Sequence, residues 1–291
     1  MVLEPDGSMI PLKRPVFGVK EILAAIGGGA RTSRVSAAED TLLRHEERLR
    51  SRADASTWYT MPRGNRTVTS ELADDIRYVY RSKLANKKGN ARLYYNRLRA
   101  SSPRSKCPIC MERQVAALDH YLPKELWPGL AIVPDNLYPI CTTCNHRKSS
   151  YFAGQADEQY LHPYFDDLGD SEWISARVVE EPGAPVRFAI SAPEEWSDEL
   201  AVRVRTHYER FKLFELYEDN AADLLADYVL LLDETFDRGD TEGVSVLLAD
   251  QARSMRHARL SGRGSPSRWP YLAMQAWADS EWFAANAGWR V

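Results

Sequence analysis

No stretch of this chain is long and apolar enough to read as a bilayer span, because the best run, Val16 to Ile26, is broken by Lys20 and Glu21. No signal-peptide pattern precedes a small-residue cleavage site, so the expectation is a cytoplasmic protein with no membrane partner. Internal repeats are missing, which argues against a solenoid, and the one biased tract is the Gly-Ser-Pro-rich loop Ser261 to Ser267. Gly27-Gly28-Gly29 lacks the strand-turn-helix context of a phosphate loop and reads as a hinge. Cysteine is scarce: there are four in 291 residues, and all four fall in two CxxC pairs, Cys107/Cys110 and Cys141/Cys144. With no leader to take the chain to an oxidising compartment, reduced, metal-bound thiolates are favoured over disulfides.

The segment Arg77 to Lys106 has no Asp or Glu, although it carries ten Lys or Arg residues. Acidic residues dominate 157–199 and 215–250 instead, so the net charge of −3 hides a basic front and an acidic rear. That asymmetry is expected where one face meets a polyanion. Hydrophobic residues at 44% and aromatics at 10% supply a packed core, enough for two modest domains or one with insertions.

The pattern predicts an α+β fold, mainly helical. Residues 1–104 read as a helical region ending in the basic block 77–106, residues 105–168 as a compact core, and residues 169–291 as a β-hairpin followed by helices. Ser36 with Glu39 reads as a helix start ahead of Leu42, Leu43 and Leu49, and a turn is expected at Pro62 to Gly64. A second helix is expected from Ser70 with Ile76, Val79, Tyr80 and Leu84 on its apolar stripe, then a short basic one with Leu93, Tyr94, Tyr95 and Leu98. Gln114 to Leu118 fits a strand delivering Asp119 and His120 at its end, Leu137 to Ile140 is a compact apolar partner, and a helix begins at Thr142. Further on, Ile174, Ala176, Val178 and Val186, Phe188, Ile190 alternate with polar residues about a Pro182-Gly183 turn. Ser197 caps a long helix, and helical patterns follow at Asn220 to Phe236, at Thr241 to Leu260 and in a last Trp-rich segment.

Two CxxC knuckles bring four soft ligands to one point, the requirement of a closed tetrahedral Zn²⁺ site with a structural role. Between and after them stand Asp119-His120, Asn136-Leu137 and Asn145-His146-Arg147-Lys148. An imidazole that takes a proton from water and oxygen ligands for a hard divalent ion are the parts of a phosphodiesterase. Lys124, Arg147, Lys148 and the basic block, including Arg92, Arg97 and Arg99, are candidate phosphate contacts, with Tyr94 and Tyr95 available to stack on bases. His162 is expected to pack in a loop against Trp173.

In order, Cys107-Pro-Ile-Cys110, Leu118-Asp-His120, Asn136-Leu137 and Cys141-Thr-Thr-Cys144-Asn-His-Arg-Lys148 resemble the HNH endonuclease (ββα-metal) superfamily in its four-cysteine zinc form. The resemblance covers about one-fifth of the chain. A wider stretch, to Leu161-His-Pro-Tyr-Phe-Asp166, is similar to stand-alone bacterial HNH nucleases, some of which pair with ATPases in antiphage systems such as Septu. It implies that His120 is the general base, that Asp119 and Asn145 hold a catalytic Mg²⁺ or Mn²⁺, and that Asn136 braces the loop bearing His120. His146 is an alternative reading of the last letter of the motif. DNA is the implied substrate, with RNA open, and an ATPase is the implied partner, while the acidic helical rear offers a surface for such an ATPase or for a second copy. The rival reading is a zinc-stabilised nucleic-acid-binding or scaffold module without turnover.

Overall fold

The computed structural model describes residues 12–63, 68–169 and 171–290. It divides into two compact units, one spanning Met9–Asp167 and the other built on Leu168–Val291. The N-terminal helices and the cysteine-bearing core thus fall within one unit.

In the first unit, α1 (Val19–Ala25), α2 (Ala30–Ala37) and α3 (Glu39–Asp54) come first. The glycine run separates α1 from α2, with Gly27 at φ 73° and Gly29 at φ 131°, conformations that cost glycine little. Ser36, expected to open a helix, lies instead in the last turn of α2, and α3 starts at Glu39. The turn expected at Pro62 to Gly64 runs into residues outside those described.

Thr69 caps α4 (Ser70–Val79), its side chain accepting from the Leu72 amide. The chain then widens into a π-helical turn, Tyr80–Leu84, before α5 (Arg92–Arg99). Gly89 makes the return possible, since a Cβ there would stand 2.1 Å from the Lys83 carbonyl oxygen. Buried Tyr95 and Leu98 then seat α5 on the following hairpin, where the Tyr95 hydroxyl accepts from the Leu118 amide at 3.2 Å.

That hairpin is β1 (Ala117–His120) antiparallel to β2 (Leu137–Ile140), with Asp119 opposite Tyr138 and His120 opposite Leu137. The strand begins three residues later than the sequence suggests, so Asp119 and His120 lie inside the paired ladder. Helix α6 (Thr142–Lys148) follows, giving a two-stranded hairpin and one helix. Around it the core is dense, with Trp58, Tyr138, Tyr160, Leu161 and His162 almost fully enclosed. His162 stacks on Trp58, ring centroids 4.7 Å apart.

The second unit opens with β3 (Ile174–Val178) paired antiparallel to β4 (Val186–Ile190) about Pro182-Gly183, where Gly183 adopts φ 83°. Ser197 caps α7 (Asp198–Phe211) as anticipated. The helical pattern at Asn220 to Phe236 is two elements, α8 (Leu213–Ala226) and α9 (Val229–Phe236), with no Gly or Pro to announce the break. Helices α10 (Thr241–Leu260), α11 (Trp269–Ala278) and α12 (Glu281–Ala285) complete the unit, and Trp269, Trp277 and Trp289 are core. Among the described residues no helix is long and apolar enough to cross a membrane.

Candidate metal centre and the His120 pocket

Each cysteine pair is shaped by its own backbone turn. In the first, Met111 takes φ 56° so that its amide reaches the Cys107 carbonyl at 2.7 Å, and the Cys107 amide returns to the Arg113 carbonyl at 2.8 Å. In the second, Cys141 caps α6, and its sulfur accepts from the Cys144 amide at 3.4 Å. The four sulfurs lie within 4.8 Å of one another, all are buried, and none forms a disulfide. A tetrahedral ion with Zn–S bonds of about 2.3 Å sets its sulfurs roughly 3.8 Å apart, so small side-chain shifts close the cluster on zinc. Hydrogen bonds from the neighbouring thiols, Cys107 first, hold the Cys141 thiol well below its ordinary range, and the bond to Cys107 brings Cys110 down to about 7. Burial pushes Cys107 up, and the hydrogen bond to Cys107 pushes Cys144 up, so the four sulfurs become thiolates, the form a metal binds, together only when a cation joins them. This is the single group of three or more His, Cys, Asp or Glu ligands gathered together among the described residues.

The period-two alternation of β1 sends His120 inward and Asp119 to a half-buried edge. His120 Nε2 lies 2.9 Å from the Ala131 carbonyl oxygen. A carbonyl only accepts, so Nε2 carries the hydrogen and Nδ1 keeps the lone pair. The ring meets Tyr80 edge-on at 4.5 Å, which is what the π turn achieves: it brings Tyr80 over the end of β1. Burial lowers the His120 pKa to about 4 against the opposing pull of Asp119, so the imidazole is neutral at pH 7.

Asn136 ends a 3-10 turn, Pro134–Asn136, just ahead of β2. Its side chain is fully buried and saturated: Oδ1 accepts from the Leu122 amide at 2.8 Å, and Nδ2 donates to the carbonyls of Leu122 at 3.0 Å and Leu130 at 3.2 Å. Its own carbonyl accepts the Tyr121 amide at 2.9 Å. It therefore ties both the residues just after His120 and the turn before Ala131.

Asp119 meets α6 through Lys148. The Lys148 ammonium stands 2.9 Å from Asp119 Oδ2 and donates to the His120 carbonyl at 2.7 Å, with its side chain 1% exposed. The Tyr138 hydroxyl approaches the same oxygen at 3.5 Å. Asp119 Oδ1 and the side-chain carboxamide of half-buried Asn145 have no hydrogen-bond partner among the described residues. Asn145 is three residues before Lys148 and so shares the face of α6 that reaches β1, whereas His146 is exposed on another face. Both unpartnered groups offer oxygen, the donor that suits Mg²⁺ or Mn²⁺. Their donor chemistry suits such an ion, and Lys148 is in contact with one of the donors.

The expected phosphate contacts divide. Lys148 is buried in this pairing and does not stand on the surface. Arg92 is committed to the Ala85 carbonyl, to Asn96 at 2.9 Å and to the Tyr95 ring at 4.1 Å. Lys124 pairs with Glu125 at 2.9 Å, and Arg147 is half-buried. Arg97 and Arg99 are exposed, as are Arg81, Lys87 and Lys88. Tyr95 is locked under Leu118, so it does not serve as a stacking platform, and Tyr94 packs on Phe17 at 4.8 Å. Arg77 is paired to Asp74 at 2.9 Å, so the basic block borrows a carboxylate from the turn before it.

Sequence reasoning misses Tyr80, Tyr138 and the Ala131 carbonyl. Only Tyr80 carries a signal, as a member of an apolar stripe ending beside cations.

Protein ea31 of Escherichia phage lambda is 30% identical to this chain over 155 residues, which are 52% of this chain and 52% of that protein. The chain thus spans about half the length of the curated relative it matches. No family model matches the chain, and no solved structure matches it significantly.

Proposed function

We propose that this protein is a metal-dependent HNH endonuclease that hydrolyses DNA phosphodiester bonds. The observation that carries the reading is the state of His120: neutral at pH 7, with its hydrogen held on Nε2 by the Ala131 carbonyl and its Nδ1 lone pair left as a base. It stands next to a carboxylate and faces a helix that offers an amide, on a hairpin anchored by four cysteines.

In this reading His120 Nδ1 takes the proton of the attacking water, a role that contributes typically about 10²–10⁴-fold in rate. Tyr80 and the Asn136 bonds hold the imidazole and its loop in place, which keeps the base from losing its aim. A base with a pKa near 4 is weak, and a phosphate beside it would strengthen it by favouring the imidazolium. Asp119 Oδ1 and Asn145 would hold the divalent ion, which when bound supplies Lewis-acid charge to offset the developing negative charge on the leaving oxygen. Cys107, Cys110, Cys141 and Cys144 would hold Zn²⁺, and a site closed by four thiolates has no position for water, so its work is to fix the hairpin against α6. Exposed Arg81, Lys87, Lys88, Arg97 and Arg99 supply a polyanion-facing surface. A role as a defence effector or nuclease subunit, with a partner ATPase or a second copy, goes with this proposal.

One observation favours the rival: His120 is only 3% exposed, as a structural histidine would be. A zinc-bearing binding module without turnover would still bind nucleic acid. Incubation of the purified protein with supercoiled plasmid and with RNA of matched sequence, each with Mg²⁺, Mn²⁺ or excess chelator, separates the readings. Metal-dependent nicking of plasmid is the expected result. Cleavage of RNA alone would reassign the substrate, and binding with no cleavage under any condition would favour the module.

A further inference from the structure

The cation in the His120 pocket is one that the protein itself supplies. Lys148 Nζ lies 2.9 Å from Asp119 Oδ2, and water is shut out around an ammonium that is 1% exposed. A charge so buried is tolerated only when it is paired and hydrogen-bonded, and Lys148 satisfies both needs with two neighbouring residues of β1: the Asp119 carboxylate and the His120 carbonyl. Asp119, for its part, has no other charged partner among the described residues. A divalent ion on Oδ1 of the same carboxylate would stand within a few ångströms of the ammonium, in a pocket where like charges are poorly screened.

We propose that Lys148 is the resident counter-ion of Asp119 and that a divalent ion binds there by displacing the Lys148 ammonium from the carboxylate. This rests on the nuclease reading above and deepens it. The metal-free site is closed by its own lysine, so Asp119 is neutralised without an ion and α6 stays pinned to β1. Metal entry then costs the protein an ion pair, which lowers affinity and makes occupancy depend on something else that carries negative charge, such as the substrate's phosphate. A displaced ammonium, one turn beyond Asn145 on the same face of α6, would find that phosphate as its new partner.

The test is Mn²⁺ binding to zinc-loaded protein, read by electron paramagnetic resonance of the free ion, for wild type, Lys148→Gln and Asp119→Ala. The glutamine keeps a donor for the His120 carbonyl and removes the charge. The expected result is affinity raised about tenfold or more in Lys148→Gln and abolished in Asp119→Ala. Equal or weaker binding in Lys148→Gln overturns the proposal while leaving the nuclease reading intact. No binding to wild type or Lys148→Gln overturns both. A second measurement needs no variant: in wild-type protein with ¹⁵N-labelled lysine, the slowly exchanging Lys148 ammonium resonance should move or vanish as Mg²⁺ saturates the protein. A resonance unchanged at saturation overturns displacement.

Discussion

Asn136 and Leu122 grip each other in both directions: the Leu122 amide donates to Asn136 Oδ1 at 2.8 Å, and Asn136 Nδ2 donates to the Leu122 carbonyl at 3.0 Å. Removing the amide leaves the buried Leu122 N–H and carbonyl without partners, each costing about 1–3 kcal/mol, while the Leu130 carbonyl keeps the Val133 amide at 3.2 Å. Asn136→Ala is expected to lower unfolding free energy by roughly 3 kcal/mol or more in urea titrations. A loss under about 1 kcal/mol would mean the loop after His120 is held by something else.

Zinc should be countable. One ion per chain is expected by metal analysis, and Cys144→Ser should lose it. Structural zinc in small peptides binds with about 10–16 kcal/mol. Even a fraction of that, on a domain this size, shifts the melting temperature by roughly 10 °C or more when the metal is stripped. Full zinc content in Cys144→Ser would refute the four-sulfur centre.

The π turn depends on Gly89. A Cβ there would meet the Lys83 carbonyl oxygen at 2.1 Å, with backbone on both sides of the clash. Gly89→Ala is expected to destabilise the first unit by about 2 kcal/mol or more. It should also alter Tyr80 fluorescence or ring NMR signals, because Tyr80 opens that turn. Unchanged stability would place the turn's origin elsewhere.

Acid should weaken the fold through His45. Burial lowers its pKa to about 4 from the ordinary 6.5, helped by Arg48 and Arg44. The unfolded chain therefore takes up a proton between these values while the folded chain does not, so stability is intact above about pH 6.5 and falls as pH drops toward 4. At about 1.4 kcal/mol per pKa unit the loss is on the order of 3 kcal/mol. Denaturation curves at pH 7 and pH 4.5 should show a smaller difference for His45→Asn than for wild type. An identical difference would mean that other groups set the acid sensitivity.

Exposed Arg97, Arg99, Lys87 and Lys88 are the cations best placed to meet a polyanion. Replacing all four with Gln should flatten the dependence of log affinity on log salt by as much as about 3–4 units on duplex DNA, near 0.9 for each phosphate no longer neutralised. An unchanged slope would move the nucleic-acid surface off α5.

The parts of the fold that are legible in the sequence follow from local chemistry. The CxxC pairs, the Ser197 cap, the 174–190 hairpin and α10 all appear where residue type and spacing put them. The start of β1 differs by three residues because Gln114 to Leu118 is weakly patterned, and pairing with β2 decides the register. The break between α8 and α9 carries no Gly or Pro, so only packing sets it. Lys148 is legible as a face-mate of Asn145. Its burial is not, because a terminal lysine of a basic run reads as solvent-facing until the carboxylate opposite it is located. The Ala131 carbonyl leaves no trace at all, since backbone acceptors have no sequence signature.

The hydrolytic reading stands or falls with His120 as the base. Single-turnover nicking of supercoiled plasmid with Mn²⁺ should be compared between wild type and His120→Ala, after both are shown to hold one zinc and to bind the plasmid equally. A rate lowered by about 10²-fold or more in the variant is expected. Equal rates in two such matched proteins would rule His120 out as the base.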